Sequence, residues 1–331
     1  MLKSGGVARR LFVGETALSW LLEDDDPSLA YRVGRDLLGT ADAGLAGVRA
    51  AIGRRGWARG LLDRRGEDGH WGRGAYGPKW TCTHYVLYEL AQLGLPSDVA
   101  ACRESAALLL GYPTGIDGGV NYARTVPYSD VCVNGMLLGV SSRFGLAAGG
   151  ASVPTVRAVA DFLLERRMSD GGWNCAYYQG GVKSSLHTTI SVLEGLWAFD
   201  DASGGYRRDD IRRAIADGVE FILRHRLYRS ERTGETIKDE FFKFPFPVRW
   251  KYDVLRCLDL FRERGLPYDG RMSGALDAVV AARDPSGRWR SASQAGATYF
   301  VVEPSGEPGR WNTLRALRVL ARYRPEEALH R

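Results

Sequence analysis

Two kinds of helix alternate in the hydrophobic pattern of this chain. The segment 153–167 carries apolar residues at the i, i+3, i+4, i+7 and i+8 spacing of an amphipathic helix. These residues are Val156, Val159, Ala160, Leu163 and Leu164. The segment 188–199 is apolar nearly all round, and a helix of that kind has to be buried. Pairs of one amphipathic and one buried helix predict two concentric rings, with the buried helices inside.

A recurring turn separates the two helices of each pair. Its copies are Asp68-Gly-His-Trp71, Asp117-Gly-Gly-Val120, Asp170-Gly-Gly-Trp173 and Pro285-Ser-Gly-Arg-Trp289. The first three follow one another at roughly 50 residues, the last comes after about twice that distance, and the Thr233-Gly234 region occupies the place between. Helices over 28–38 and 311–323 are placed to close the ring.

This repeat resembles the prenyltransferase and squalene-cyclase repeat, found in protein prenyltransferase β subunits and in terpene cyclases of the squalene-hopene type. The resemblance runs from about residue 28 to 323 and implies an all-α fold, an α/α toroid of about five to six helical hairpins. Since no Pro- or Ser-rich linker interrupts the chain, residues 1–331 are expected to form one domain. Residues 1–15 precede the repeats and are expected to be flexible.

Composition narrows the function classes. Lys and Arg total 45 against 39 Asp and Glu, for a net charge of +6, and both signs alternate in segments such as 207–213. Such mixing is typical of solvated helix faces and argues against nucleic-acid binding. No apolar run approaches the roughly 18 residues of a membrane span. The five cysteines are scattered and no signal peptide is recognisable, so the expected location is the cytoplasm.

Three polar residues stand at the starts of two consecutive buried helices. Asp130 and Cys132 open one helix, and His187 opens the next. Asp, Cys and His together are a ligand set that zinc accepts, and three protein ligands leave a fourth position open, as in catalytic zinc sites. Protein prenyltransferase β subunits hold Zn²⁺ with an Asp-x-Cys and a His in these places. The resemblance therefore implies a zinc centre made of these three residues.

Each of the three residues also has an ordinary structural interpretation. An Asp before a helix is usually an N-cap, a Cys on an apolar helix is usually core, and a single His is usually a hydrogen-bonded core or rim residue. Cys82 and His84 form a rival metal pair, but no carboxylate opens their helix, and Cys82 is expected in the core. The acidic run Glu23-Asp24-Asp25-Asp26 is expected to cap a helix that begins at Pro27.

The surroundings of the trio depart from the prenyltransferase pattern. Arg124 matches a basic residue of the family's diphosphate site, but Pro127 and Trp80 stand where a basic residue and a phosphate-binding His are expected. The predicted substrate-binding residues come from the same rim, as aromatic walls and basic side chains for an anionic group. They are Lys79, Trp80, Tyr122, Arg124, Tyr177, Lys183, Trp250, Tyr252 and Trp311.

The sequence thus predicts a zinc-dependent enzyme that acts in the central cavity on a small, partly apolar substrate, including substrates that carry an anionic group. The reaction would be alkyl transfer, including prenyl transfer, or cyclisation promoted by a Lewis acid. One alternative is a metal-independent isomerase like a terpene cyclase, which needs a buried carboxylic acid in the cavity. The other alternative is a non-catalytic binding module, and a cavity filled by side chains would support it. The sequence implies no partner subunit.

Overall fold

The computed structural model describes residues 15–123, 125–293 and 296–328, and these ranges contain fourteen α-helices. Six of the helices that line one central cavity form the inner ring. They are α2 (Pro27–Asp36), α5 (Thr83–Gln92), α7 (Val131–Arg143), α9 (Leu186–Ala202), α11 (Val254–Glu263) and α13 (Arg310–Tyr323). The outer helices that precede the last five are α4 (Gly56–Leu62), α6 (Ala100–Leu110), α8 (Val153–Glu165), α10 (Arg208–Arg224) and α12 (Ser273–Ala281). The prediction of an all-α toroid built from helical hairpins is confirmed.

The remaining elements are short. They are the helices α1 (Glu15–Leu22), α3 (Asp42–Ala51) and α14 (Pro325–Ala328), and a two-stranded antiparallel ribbon of β1 (Trp289–Arg290) and β2 (Pro308–Gly309). Helix α2 begins at Pro27, and the Asp26 side chain accepts hydrogen bonds from the backbone N–H groups of Ser28 and Leu29. The acidic run before Pro27 therefore ends in a helix cap, as predicted. No helix in the described ranges combines the length and apolar character needed to cross a membrane.

The tryptophans of the recurring turn join each outer helix to the inner helix that follows. The indole Nε1–H of Trp71, Trp173 and Trp289 donates at 2.7 Å to a carbonyl ten residues earlier. The backbone N–H of the same tryptophans donates to a threonine hydroxyl in the next inner helix, at 3.0 to 3.1 Å. All three side chains are fully buried. The turn therefore sets the angle between the helices as well as reversing the chain.

Helices α7 and α9 are in backbone contact at Gly135 and Gly195, where a side chain on either helix would not fit. A Cβ placed on Gly195 would lie 2.2 Å from the carbonyl oxygen of Gly135, so any other residue at position 195 would force the helices apart. The backbones of α7 and α9 therefore pack directly on each other at this point, with no side chain between them.

Charged side chains close the ring between its first and last helices. Arg318 of α13 donates from Nη1 to Asp36 of α2 at 2.6 Å and from Nε to Asp259 of α11 at 2.6 Å. All three side chains are buried or nearly so. Helices α2, α11 and α13 are thereby held together at the point where the first and last inner helices meet.

The connection between α10 and α11 is longer than the short loop that the repeat predicts. It runs from residue 225 to 253, and its segment 243–250 enters the ring, where Phe244, Phe246 and Val248 are buried. The Gln92 side chain exchanges two hydrogen bonds of 2.8 Å with the backbone of Val248. This segment fills part of the toroid centre with the chain's own side chains.

The indole hydrogen bond in the recurring turn gives a first prediction. Trp173→Phe keeps the aromatic packing but removes the bond to the Leu163 carbonyl, and we expect it to lower the free energy of unfolding by about 1–3 kcal/mol. Urea denaturation monitored by circular dichroism measures this difference. Trp197→Phe, at a half-buried ring on α9, is the matched control and should change stability by less. Equal losses in both variants would contradict the proposed role of the turn.

Candidate functional site

Asp130 takes the N-cap position of α7 but does not cap the helix. Its backbone is extended there, and its side chain accepts no hydrogen bond from the first turn. The residue is exposed, and partial burial of its carboxyl raises the pKa, while the nearby Lys79 ammonium opposes that rise. Asp130 therefore occupies the N-cap position that is expected of an Asp before a helix, but its carboxyl makes no capping hydrogen bond to the first turn.

Cys132 lies in the first turn of α7 and faces a second cysteine, Cys175. The backbone N–H of Cys132 donates to the Cys175 Sγ at 3.3 Å, and the Thr188 hydroxyl of α9 donates to the same sulfur at 3.6 Å. Hydrogen bonding from the Cys132 thiol, from that N–H and from Thr188 lowers the pKa of Cys175, although burial acts in the other direction. The same thiol–thiol hydrogen bond raises the pKa of Cys132. The pair therefore favours a thiolate on Cys175 and a thiol on Cys132.

His187 lies in the first turn of α9, and its half-buried ring contacts other parts of the protein. Its Nδ1 accepts a hydrogen bond from the backbone N–H of Tyr252 at 2.8 Å, and its ring packs 5.4 Å from Phe241 and 5.3 Å from Trp250, between centroids. Burial, followed by repulsion from Lys238, Arg256 and Lys251, lowers its pKa to about 4. His187 is therefore neutral at pH 7, and in the neutral ring the proton lies on Nε2.

This arrangement does not fit the predicted zinc centre. Among the residues described, no three His, Cys, Asp or Glu side chains form a group that could hold a metal ion. A histidine that binds zinc through one nitrogen normally donates a proton from the other, whereas Nδ1 of His187 accepts one. Cys132 contacts Cys175, a residue that the sequence interpretation did not single out. Zinc coordination by Asp130, Cys132 and His187 stays a prediction, with which the position of His187 disagrees.

Aromatic side chains surround Cys132 at this end of the inner ring. We call this group the rim cluster; it comprises Tyr76, Trp80, Tyr85, Tyr122 and Trp250, which pack with Cys82, Cys132, Val133 and Met136. The Lys79 Nζ lies 4.8 Å from the Trp80 ring centroid, and the Arg249 guanidinium lies 4.3 Å from it. Both cations contact the π system of Trp80. Trp80 itself has φ +85, a backbone conformation that is strained for a residue with a side chain.

The structure brings together only some of the predicted substrate-binding residues. Lys79, Trp80, Tyr122 and Trp250 meet in or beside the rim cluster. The others are placed elsewhere, and Arg124 lies outside the described residues. Tyr177 donates its hydroxyl to Asp117, and Lys183 is exposed. The Tyr252 hydroxyl donates to the Leu227 carbonyl at 2.6 Å within the core, so Tyr252 serves packing.

Trp311 faces the central cavity rather than the rim. Its ring stacks on Phe246 of the inserted segment, with centroids 4.5 Å apart. The cavity has a volume of about 310 Å³ and reaches residues of all six inner helices. At its wall Arg256 of α11 forms a bidentate ion pair with Glu194 of α9, at 2.8 and 2.6 Å.

Two features of the site are not evident from the sequence. Cys175 lies in a short 3₁₀ helix, Cys175–Gln179, and apolar periodicity gives no signal for such an element. Its position directly after the turn that ends at Trp173 was the available clue. The mixed charge pattern predicts solvated arginines, which is correct for α10, but Arg256, Arg315 and Arg318 are buried around the cavity, where carboxylates pair with them.

Comparisons with known proteins are sparse for this chain. No family model and no curated protein matches it. Among solved structures, a polysaccharide lyase aligns over 90% of this chain and 89% of its own, with 10% identity and a TM-score of 0.48. A variant of the type II terpene cyclase MstE from Scytonema, in complex with its substrate geranylgeranyl dihydroxybenzoate, aligns over 95% of both chains with 18% identity and a TM-score of 0.42. At these TM-scores neither likeness carries an argument about function.

The depressed pKa of His187 gives a second prediction. A histidine with a pKa of about 4 in the folded chain and about 6.5 when unfolded stabilises the fold above pH 6.5, and this contribution is lost as the pH falls toward 4. Stability should therefore fall less in His187→Gln than in the wild type between pH 7 and pH 4.5. Urea denaturation across this range tests it, with His225→Gln as a control for loss of an imidazole. Parallel pH profiles for wild type and His187→Gln would contradict the burial of a neutral ring.

Proposed function

We propose that this chain is an enzyme that transfers an alkyl or acyl group from a small, partly apolar substrate, with Cys175 as the nucleophile. The observation that carries the proposal is the set of hydrogen bonds aimed at the Cys175 sulfur, from the N–H of Cys132 and the hydroxyl of Thr188. A thiolate, and not a thiol, is the reactive form of cysteine. Donors that converge on the sulfur favour the thiolate without a metal ion.

The helix ends around Cys175 act in the same direction. Cys132 is the second residue of α7 and Thr188 the third of α9, so the sulfur lies against the N-terminal turns of both helices. Helix N-termini carry a partial positive charge and unpaired N–H groups, which stabilise an anion. The close contact at Gly135 and Gly195 fixes how closely α7 and α9, the two helices that supply these donors, pack on each other.

The reaction would proceed by two displacements at one carbon. The Cys175 thiolate attacks an electrophilic carbon, the S–C bond forms, and the leaving group departs with the bonding pair. An acceptor nucleophile then attacks the same carbon and returns the thiolate. Asp130, whose charge acts on the Cys175 thiol and whose pKa is raised by burial, would be the acid that protonates the leaving group. The rim cluster supplies apolar walls beside the thiol pair for the rest of the substrate.

Zinc-dependent transfer or cyclisation is the second candidate. It is favoured by one observation, namely that Asp130 stands free of its helix beside the cysteine pair. The terpene-cyclase-like alternative has less support, because Lys79 and Arg249 already contact the Trp80 ring that would face a carbocation. The binding-module alternative is supported by the side chains of segment 243–250 inside the ring.

Thiol reactivity tests the main proposal without knowledge of the substrate. Iodoacetamide at pH 7 should modify Cys175 at least about tenfold faster than any other cysteine, since its pKa is below that of an ordinary thiol. Mass spectrometry of peptides after timed quenching measures all five rates in one sample, and buried Cys82, Cys102 and Cys257 serve as internal controls. Thr188→Val should slow alkylation of Cys175, whereas Thr189→Val should affect folding through Trp173 instead.

Two results would count against the nucleophile. One is a reactivity order in which Cys132 leads; the other is a pH–rate profile for Cys175 with its midpoint at or above that of a free thiol, about 8.5. In either case the hydrogen bonds at the sulfur would be structural only.

Metal analysis separates the two candidates. We expect protein purified in chelator-free buffer to hold well under one zinc per chain, and a chelator to leave Cys175 reactivity unchanged. Cys132→Ala and His187→Ala are analysed beside the wild type, with Cys257→Ala as a control. Near-stoichiometric zinc in the wild type, lost in both site variants while circular dichroism stays native, would overturn the metal-free mechanism.

A further inference from the structure

We propose that the central cavity binds a small molecule through a doubly charged oxyanion group of the phosphate or sulfate class. The site is distinct from the thiol pair and does not depend on the function proposed for it. Three arginines define it: Arg32 of α2, Arg49 of α3 and Arg143 of α7, which all line the cavity of about 310 Å³. That volume is at the lower end for small-molecule sites.

The cavity wall carries far more positive than negative charge. Its carboxylates are Glu194, Asp259 and Glu263, and its arginines are Arg32, Arg35, Arg49, Arg143, Arg256, Arg264, Arg315 and Arg318. Most of the arginines are matched. Arg256 pairs with Glu194, Arg318 with Asp36 and Asp259, Arg35 with Asp36, Arg264 with Asp201, and Arg315 with Asp253 and Asp259.

The three arginines of the proposed site make no ion pair within the described ranges. The Nε of each is buried and has no hydrogen-bond partner there. Arg32 and Arg143 each donate one hydrogen bond, to the carbonyls of Gln92 and Leu95, which leaves most of their donors free. Arg49 lies with its guanidinium 5.8 Å from the Tyr31 ring centroid.

The electrostatics of these groups call for an anion. Burial and the positive charge of Arg35 lower the pKa of Arg32 to about 10, and burial with repulsion from Arg49 lowers that of Arg143. The charge of Glu263 acts on both Arg32 and Arg143 and opposes these shifts. Burial raises the pKa of Glu263, but Arg32 and Arg318 in turn lower it. One carboxylate thus stands against the three arginines, so an excess of about two positive charges remains on the described wall. Unpaired charge in a cavity is costly, whereas arginine forks match the geometry of phosphate and sulfate oxygens.

Isothermal titration of the full chain with pyrophosphate, inorganic phosphate and sulfate, at constant ionic strength in chloride, tests the proposal. We expect saturable binding of one anion per chain, weakened about tenfold or more in Arg49→Met and in Arg32→Met. Arg232→Met, at an exposed loop arginine, is the matched control and should bind as the wild type does. The order of affinity among the three anions identifies the class of ligand.

The melting temperature of the ligand-free variants distinguishes an anion-binding arginine from one that only stabilises the fold. Because Arg49 makes no ion pair with any residue that the structure describes, its replacement by Met should raise the melting temperature without ligand and reduce the anion-dependent rise. Absence of saturable binding would overturn the proposal. So would a lower melting temperature in Arg49→Met with unchanged anion affinity, or equal weakening in Arg232→Met. Alkylation of Cys175 should be the same in all these variants, so the two proposals fail separately.

Discussion

The toroid depends on the closure of its inner ring, and Arg318 carries that closure. A ring of helical hairpins has two ends, and each end exposes an apolar helix face unless they meet. Arg318 reaches Asp36 and Asp259 at once, so that the first inner helix and the last two share one ionic contact. Burying a charge costs free energy unless the charge is fully paired, and Arg318 finds both of its partners only when the ring is closed. The cavity, its arginine wall and the spacing of the helix starts all presuppose it.

Much of this fold could be predicted because its repeat uses local signals. The recurring turn gave the position of each hairpin, and the periodicity of Val156, Val159 and Leu163 gave the outer helix α8 within two residues of its observed end. Buried inner helices followed from their lack of a polar face, as α9 shows with its buried Ile190 and Leu193. Such features are read from neighbours along the chain, where sequence information is strongest.

The interior of the ring could not be predicted in the same way. Segment 243–250 enters it through pairing with Gln92 and packing on Trp311, contacts that span more than 60 residues of sequence. Cys175 gains its importance only because two helix ends from different repeats converge on its sulfur. His187 shows the opposite case. It lies in the first turn of an inner helix, as the motif predicts, but its Nδ1 accepts a hydrogen bond from the backbone N–H of Tyr252 on a distant loop. In a zinc site that nitrogen would normally be a donor.

The contact between Gly135 and Gly195 has a consequence for how this chain can vary. Neither glycine belongs to the cysteine pair, yet their contact sets how closely α7 and α9, which both donate to the Cys175 sulfur, can pack. A methyl group at either position would tilt one helix against the other and lengthen both hydrogen bonds to Cys175. Related chains that keep both cysteines should therefore also keep both glycines. In chains that have lost one of the glycines, the residues at positions 132 and 175 should vary independently of each other.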